Sequence, residues 1–319
     1  MAIPPSWIIQ TGRSIWTQIW QVMMSQLAPR NGRGEYQRPQ SEFRHRIDGI
    51  YSPQPNRYRL YVGWSCPWAH RTLVVRALKG LENSIDITIL RGDANAGGWA
   101  LPEPEHGCKT LAQLYRLANP GYTGRSTVPM LWDTQTNSIV NNESAEIVEI
   151  LNSEFNDHAT HPELDLSPVA LQDSLDRWNE VIYQTVNNGV YRCGFAQTQT
   201  AYDKAHTELF ATLDRIEDSL ATQNYLCGDL LTLADVRLFT TLIRFDLVYH
   251  TLFKCNRRRI QDYPQIQAYV QKIYHLPGVT QTCDFATILQ DYYGNLFPLN
   301  PGGIVPKLPD MSYLVARGD

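Results

Sequence analysis

The sequence predicts a small α/β domain followed by an all-helical domain. A strand–helix–strand pattern begins at residue 58, and helical spacing of apolar residues runs from residue 169 nearly to the end. A polar, proline-bearing stretch separates the two regions, and 319 residues are enough for two modest domains. We therefore divide the chain into an N-terminal arm (1–40), an α/β domain (41–157) and a helical domain with an extended tail (166–319).

Composition and charge exclude several classes of protein. The net charge of −4 argues against a nucleic-acid-binding protein, which normally has a basic face. No apolar run approaches the ~18 residues that cross a bilayer. The six cysteines are scattered without a Cys-x-x-Cys pair, which predicts free thiols in a reducing compartment rather than a disulfide framework or a zinc site. We expect a cytoplasmic protein without a bound metal.

The N-terminal arm differs in composition from the rest of the chain. Residues 1–34 contain three arginines, three tryptophans and no acidic residue. Glutamines interrupt any apolar core, so the segment is not a secretory signal. We favour an arm that packs its tryptophans on its own fold, because three positive charges are few for membrane targeting. A helix on a membrane surface and an organelle-targeting segment are the alternatives.

The α/β domain opens with a predicted strand at 58–62. Pro67 suits the first position of a helix that runs to about Lys79 and ends at Gly80. Residues 85–91 alternate apolar and polar side chains, which predicts a second strand. This order is the start of a βαβ unit.

The second half of this domain is less regular. The Gly- and Pro-bearing residues 92–124 are too long for an ordinary connection, so we expect a functional loop there. Strands are predicted at 127–133 and 138–141, and apolar spacing predicts a helix over 143–155.

Helical patterns follow the polar linker at 158–168. The predicted helices are 169–187, 201–221, one that follows a capping box at 232–235, and two that begin near Pro264 and Val279. From Gly294 the chain is rich in Pro and Gly, which predicts an extended tail.

Cys66 is the residue on which the predicted chemistry depends. It follows a strand and begins a helix, where unpaired N–H groups and the helix dipole stabilise a thiolate and lower the pKa of the thiol. We therefore predict a reactive nucleophile. The other five cysteines are expected to pack as small apolar side chains: Cys108, Cys193, Cys227, Cys255 and Cys283.

The residue three positions after Cys66 indicates what the thiol reacts with. A dithiol oxidoreductase keeps its second cysteine there, and this chain has Ala69. A mixed disulfide on Cys66 must therefore be resolved by an outside thiol. The sequence predicts that a small molecule such as glutathione supplies that thiol.

Two further motifs suit a peptide-like ligand. Pro129 enters a strand, so Val128–Pro129 is a candidate cis peptide that exposes the Val128 backbone; an ordinary edge-strand proline is the alternative. Glu143 and Ser144 open a helix, whose N-terminus binds a carboxylate while Glu143 receives an ammonium. The pair suits a γ-glutamyl group, and the alternative is a Ser cap beside a dipole-matched acid.

Three motifs resemble the Xi class of glutathione transferases, the S-glutathionyl-hydroquinone reductases. They are Cys66-Pro-Trp-Ala-His-Arg-Thr, Val128-Pro-Met-Leu-Trp-Asp and Ile139-Val-Asn-Asn-Glu-Ser-Ala-Glu-Ile. The likeness covers about residues 35–307. It implies the glutathione transferase fold, in which a thioredoxin-like domain precedes an all-helical one, and a homodimer built through the helical domain.

The resemblance also implies an activity and its residues. Glutathione is the co-substrate: Cys66 attacks the glutathione sulfur of a glutathionyl-hydroquinone, and a second glutathione regenerates the thiol. By motif, the residues expected to hold glutathione are Trp99, Arg125, Val128, Glu143 and Ser144, with Arg116 near enough to compete with Arg125. The residues expected at the aromatic acceptor site are Tyr191, Tyr249 and Tyr292, with Tyr191 as the proton donor. A phenol suits this role, because the ring carbon needs a proton as sulfur leaves.

Two other functions are consistent with parts of the pattern. An Omega-like thiol transferase or dehydroascorbate reductase shares the Cys-Pro site but should lack the three tyrosines. A non-enzymatic binding module has no need of both Cys66 and the Glu143–Ser144 pair. Activity on glutathionyl-hydroquinones, set against dehydroascorbate, discriminates among the three.

Overall fold

The chain is strand-rich in its first half and helical in its second. A computed structural model describes residues 5–93 and 98–314, apart from the side chain of Gln26. The strands are β1 (Tyr58–Val62), β2 (Ile85–Ile89), β3 (Arg91–Asp93), β4 (Gly98–Glu105), β5 (Cys108–Thr110), β6 (Met130–Asp133) and β7 (Ser138–Asn141). The α-helices are α1 (Pro5–Leu27), α2 (Pro67–Lys79), α3 (Leu111–Ala118), α4 (Ser144–Ser153), α5 (Gln172–Ile182), α6 (Gly189–Gly194), α7 (Gln199–Leu220), α8 (Leu233–Leu242), α9 (Pro264–Tyr274) and α10 (Phe285–Asn295).

The N-terminal sheet has the strand order β2-β1-β6-β7. β1 and β2 are parallel and joined by α2, whereas β6 is antiparallel to β1 and β7 is antiparallel to β6. The helix α2 ends at Gly80, whose φ of 64° is the left-handed conformation that glycine favours. The thioredoxin-like arrangement confirms the predicted fold class, an α/β domain followed by an all-helical one.

The prediction of a loop at 92–124 is wrong. The segment contributes to a second sheet of order β3-β4-β5, followed by α3. Pro102 and Pro104 suggested a loop, but they lie in β4 where its register with β5 shifts between Ala100 and Glu105. In such a stretch a proline sacrifices no ladder hydrogen bond, so the strand tolerates both.

Several predicted boundaries also change. The strand predicted at 85–91 ends at Ile89, because the chain then joins the second sheet. Residues near Val279 form only a short 3₁₀ turn, and the next helix begins at Phe285, where the Asp284 side chain accepts a hydrogen bond from the Thr287 N–H. The strand predicted from residue 127 begins at Met130, and the short helix α6 was not predicted.

The predicted capping box at 232–235 is confirmed. The Asp235 carboxylate accepts hydrogen bonds from both the N–H and the Oγ1 of Thr232, each at 2.8 Å. The helix predicted at 169–187 is present as a continuous run: a 3₁₀ turn, then α5, then a π-helical turn at Tyr183–Asn187.

The N-terminal arm forms the helix α1, and its contacts with the described remainder of the chain lie in its C-terminal half. Met24 and Ala28 are buried, and the Trp20 Nε1 donates a hydrogen bond to the Pro298 carbonyl at 3.2 Å. Trp7 is 65% exposed and Trp16 is 42% exposed. The expectation that the arm packs its tryptophans on the fold is therefore wrong for Trp7 and only partly right for Trp16.

Within residues 5–93 and 98–314, none of the helices combines the length and apolar character needed to cross a bilayer.

Candidate functional site

Cys66 lies at the junction of β1 and α2, as predicted. It is the N-cap residue of α2, with Pro67 at the first helical position. Its Sγ is 3.5 Å from the carbonyl oxygen of Val128, and the Val128–Pro129 bond is cis. The strand–helix junction and the start of β6 therefore meet at the thiol.

All six cysteines are free thiols, and they differ in their exposure to solvent. Cys66 and Cys283 are half-buried, and the other four are buried. Burial raises the pKa of Cys283 to about 11, so this thiol stays protonated at neutral pH. Exposure alone therefore does not distinguish Cys66, whereas its place at the helix terminus does.

The pKa of the Cys66 thiol differs from the sequence-based expectation. Burial raises the pKa, although hydrogen bonds from the Ala69 and Trp68 N–H groups and the charges of Arg38 and Arg244 lower it. The predicted net lowering is wrong, because the sequence shows the helix terminus but not the side chains that cover it. Desolvation of the thiolate outweighs the dipole here.

The helical domain holds the loop that carries Cys66. Arg244, which follows α8, is fully buried and donates hydrogen bonds to the carbonyls of Trp64 at 2.7 Å and Ser65 at 3.1 Å. The Ser65 hydroxyl donates to Asp291 of α10 at 2.6 Å. Arg244 and the helix α10 thus fix the residues immediately before the thiol.

Arg244 also fixes the protonation state of His70 in α2. The Arg244 Nη1 donates to the Nδ1 of His70 at 2.8 Å, and the His70 Nε2 is 2.8 Å from the Thr282 Oγ1. Burial, reinforced by the charge of Arg244, lowers the pKa of His70 well below its usual value. His70 is therefore neutral and joins the two domains.

Trp99 covers the loop before Cys66. A Cβ added at Gly63 would lie 2.2 to 3.1 Å from three carbon atoms of the Trp99 ring. The indole therefore packs directly on the Gly63 backbone, and only glycine allows this approach. The structure brings two predicted glutathione contacts, Trp99 and Val128, to the same loop as Cys66.

Glu143 is the residue that caps the helix α4, whereas the sequence had suggested Ser144 as the cap. Glu143 is the N-cap of α4, and its carboxylate accepts hydrogen bonds from the Ala145 N–H at 3.2 Å and the Ser41 hydroxyl at 3.0 Å. Ser144 is buried at the first helical position, 3.4 Å from the Arg71 Nη1. The Glu143 carboxylate lies beside the N–H groups of a helix N-terminus. This arrangement suits a zwitterionic ligand, whose ammonium would meet the carboxylate and whose own carboxylate would meet the helix terminus.

Arg125 and Arg116 are both exposed. Arg125 lies before β6, where its carbonyl accepts a hydrogen bond from the Tyr122 hydroxyl at 2.8 Å. Within the described part of the chain, no hydrogen bond joins either guanidinium to the other predicted glutathione contacts.

The three predicted acceptor-site tyrosines form one hydrogen-bonded chain, here called the tyrosine cluster. The Tyr292 hydroxyl lies 2.6 Å from that of Tyr191 and 3.0 Å from that of Tyr249. Tyr249 ends a π-helical turn, Phe245–Tyr249, a distortion that is frequent at functional sites. Phe253 packs against all three rings.

The tyrosine cluster lies close to Cys66 and remains protonated. Burial is the largest cause that raises the pKa of all three phenols. A negative charge on Cys66 raises the pKa of Tyr191 and Tyr249 further. At neutral pH these hydroxyls therefore keep their protons and can donate hydrogen bonds.

Sequence reasoning missed two arginines at the site. The Arg38 guanidinium lies 3.9 Å from the Trp68 ring centroid, and the Trp68 ring stacks on Tyr191 with centroids 6.3 Å apart. Arg244 is fully buried, and its burial is not visible from its neighbours in the chain. Arg38 carries no local signal, because it reaches the site from the arm.

The chain as a whole is similar to known glutathione transferases. Family models for the glutathione S-transferase N-terminal and C-terminal domains match residues 65–154 and 199–272. Glutathionyl-hydroquinone reductase PcpF of Sphingobium chlorophenolicum is 45% identical over 283 residues, with 86% of this chain and 90% of that protein covered.

Solved structures agree. The crystal structure of the Xi glutathione transferase from Phanerochaete chrysosporium has a TM-score of 0.83 and 44% identity, and covers 86% of this chain and 93% of that one. The glutathione-bound structure of YqjG from Escherichia coli K-12 has a TM-score of 0.79 and 40% identity, and covers 85% of this chain and 94% of that one. This chain therefore belongs to the glutathione transferase family and, within it, to the Xi class.

Proposed function

We propose that this chain is a glutathione-dependent reductase that removes glutathione from S-glutathionyl-hydroquinones through a Cys66–glutathione disulfide. The observation that carries the proposal is a thiol at a strand–helix junction, with Ala69 in place of a second cysteine, whose charge acts on Tyr191 and Tyr249 of the tyrosine cluster. Such a thiol needs an outside thiol to complete its cycle, and the phenols supply protons. Membership of the Xi class supports the same activity.

The first step transfers glutathione from the aromatic ring to Cys66. The Cys66 thiolate attacks the glutathione sulfur, an S–S bond forms, and the aryl carbon–sulfur bond breaks. The electron pair of the broken bond stays on the ring carbon, which takes a proton. Both sulfurs are thereby oxidised to a disulfide while the ring carbon is reduced, and free hydroquinone leaves.

The second step restores the thiol. The thiolate of a second glutathione attacks the glutathione sulfur of the mixed disulfide, and the Cys66 thiolate leaves. The products are glutathione disulfide and the free enzyme. The proton lost by the second glutathione balances the proton that the ring carbon takes in the first step.

Within this proposal, glutathione lies along Trp99, Val128 and the N-terminus of α4. Glu143 receives the ammonium of the γ-glutamyl group, and the helix terminus at Ser144 receives its carboxylate. The Val128 backbone pairs with the peptide part. Arg125 is the proposed partner of the remaining carboxylate, and KM measurements on Arg125→Ala and Arg116→Ala test that assignment.

Tyr191 is the proposed proton donor. It is half-buried, whereas Tyr249 and Tyr292 are buried, so Tyr191 is the member of the tyrosine cluster best placed to reach a substrate. Tyr292 lies between the other two hydroxyls and holds them in place. Such a phenol contributes ~10²-fold or more to a step that needs a proton.

The test is a comparison of substrates with one cysteine variant. We expect the purified chain with glutathione to convert glutathionyl-menadiol and related conjugates to free hydroquinones far faster than it reduces dehydroascorbate. Cys66→Ser should abolish turnover, and Cys283→Ser, the other half-buried thiol, should leave it unchanged. Preferential reduction of dehydroascorbate would favour the Omega-like activity. If Cys66→Ser kept both activities, the assignment of Cys66 as the nucleophile would be refuted.

We also propose a homodimer formed through the helical domain, as the family resemblance implies. Light scattering of the purified chain should then give twice the mass of one chain.

A further inference from the structure

The helix α1 carries an apolar surface that the described remainder of the chain leaves open. Seven of its large apolar side chains are between 42% and 68% exposed: Trp7, Ile8, Ile9, Ile15, Trp16, Ile19 and Val22. Residues 5–19 are exposed on every side of the helix. An apolar patch of this extent is uncommon on a protein surface that has no partner.

Six of the seven exposed apolar residues lie on one face of the helix. At about 100° per residue, all of them except Trp7 fall within an arc of ~140°, and Trp7 lies among the Gln, Ser and Thr residues of the opposite arc. Arg13 falls at the edge between the two faces. The helix is therefore amphipathic, and its apolar face is longer than its contact with the fold requires.

The C-terminal end of α1 anchors it to the rest of the chain. Met24 and Ala28 are buried, and Trp20 donates a hydrogen bond to Pro298. The Trp16 ring meets the edge of Phe297 at 6.2 Å, and Phe297 is itself 47% exposed. The apolar surface therefore continues from α1 onto the tail, which makes it part of the fold.

Charge separates this segment from the rest of the chain. The chain has a net charge of −4, and the arginines of residues 1–34 contribute +3 without any acid, so residues 35–319 carry −7. The helix itself holds Arg13, and Arg30 and Arg33 follow it, so the arm is the positive part of an acidic protein and is attracted to a negative apolar surface. Tryptophan and arginine beside an isoleucine face are typical of helices that lie in the headgroup layer of a membrane.

We propose that α1 binds the surface of an anionic lipid bilayer, with its isoleucine face in the headgroup layer and its polar face toward water. The helix lies on the bilayer and does not span it. One consequence rests on the proposed function: the helix brings Cys66 to the bilayer surface, where the free hydroquinone that the reaction releases can partition. The binding itself depends only on the exposed face and the charge.

Vesicle flotation of the full chain tests the proposal. The probes are phosphatidylcholine vesicles with and without phosphatidylglycerol, at low and high salt. We expect the chain to float with the anionic vesicles and less so at high salt, because salt screens the arginines. Ile15→Gln/Ile19→Gln should weaken partitioning at least ~10-fold, because it removes two side chains that bury apolar surface in the headgroup layer.

A matched control removes a similar apolar pair elsewhere. Val169→Gln/Leu230→Gln changes two residues of the helical domain that are 92% and 59% exposed, and it should float like the unmodified chain. Turnover without vesicles should be the same in all three proteins. An unmodified chain that floats but shows no turnover would refute the proposed function and leave the membrane proposal standing.

Three results would overturn the membrane proposal. In the first, the unmodified chain does not float. In the second, Ile15→Gln/Ile19→Gln floats as well as the unmodified chain. In the third, the unmodified chain binds no lipid but forms an oligomer, and Ile15→Gln/Ile19→Gln dissociates that oligomer. The third result would assign the face to a second copy of the chain.

Discussion

Burial and positive charge act in opposite directions on the Cys66 thiol. Burial is the larger effect and raises the pKa of the thiol, and the charges of Arg38 and Arg244 lower it by a smaller amount. Both arginines come from outside the strand–helix junction that predicted the thiolate. The sequence could therefore place Cys66 at the strand–helix junction, but it could not give the direction of its pKa.

The pH dependence of alkylation tests the role of Arg38. Because its pKa is raised, Cys66 is mostly protonated at neutral pH, and its labelling by iodoacetamide should increase up to a pH above that at which an ordinary cysteine titrates. Arg38→Ala should move the midpoint higher still, since it removes a charge that favours the thiolate. Mass spectrometry of the Cys66 peptide gives the rate, and Arg258→Ala is the control, as an exposed arginine of the helical domain. An unchanged midpoint in Arg38→Ala would contradict this role.

Tyr191→Phe separates proton donation from binding. The variant should lower kcat for glutathionyl-menadiol by ~10²-fold with little change in KM, because only the step that protonates the ring needs the hydroxyl. Formation of the Cys66–glutathione disulfide from glutathione disulfide needs no such proton and should be unaffected. Tyr225→Phe, outside the tyrosine cluster, should match the unmodified chain. Equal loss of both reactions would make Tyr191 a structural residue.

At the scale of elements, the site depends on contacts that join segments distant in the chain. The sequence predicted the βαβ start, the capping box at 232–235 and the cis bond, because each has a local signal in residues that are neighbours in the chain. It missed β3 to β5 and α3, since the prolines of β4 look like loop residues until the shifted register is known. Trp99 was predicted only by resemblance, and its packing on Gly63 is visible only in the fold.

Gly63→Ala tests the contact between the Cys66 loop and Trp99. The added methyl group would meet the indole at 2.2 Å, so Trp99 must move, and we expect KM for the conjugate to rise about tenfold. Gly32→Ala is the control, because a Cβ there meets no atom within 4 Å. The effect should be absent when Gly63→Ala is added to Trp99→Ala, since the two changes act on one contact. Additive effects of the two changes would contradict the contact.

At the scale of the molecule, the two domains build one site, and the α/β domain has its own buried ion pair. The Arg57 Nη2 lies 2.7 Å from the Asp133 Oδ2, with side chains 5% and 0% exposed. Burial raises the pKa of Asp133, but hydrogen bonds from Arg57, Gln135 and Thr136 outweigh it and hold the pKa below its usual value. The overall order of the two domains was predictable from periodicity, whereas this pair depends on the register of β1 against β6.

The pH dependence of unfolding tests the ion pair. Because its pKa is lowered in the folded state, Asp133 stabilises the fold above the pKa of an unfolded aspartate, ~3.9, and loses this effect as the pH falls below it. Asp133→Asn should lower the free energy of unfolding by about 3 kcal/mol at neutral pH, and the difference should shrink toward pH ~3. Asp86→Asn, in an exposed pair with Arg59, should change it by less than ~1 kcal/mol. A difference that persists at low pH would assign the effect to packing.

A single-turnover reaction without free glutathione tests the central claim most directly. Reduced protein is mixed with one equivalent of glutathionyl-menadiol, and the released menadiol and the modified peptides are measured together. We predict one equivalent of menadiol, one glutathione on Cys66 and none on the other five cysteines, with neither product from Cys66→Ser. Menadiol released without a Cys66 adduct, or released by Cys66→Ser, would contradict the mixed-disulfide mechanism.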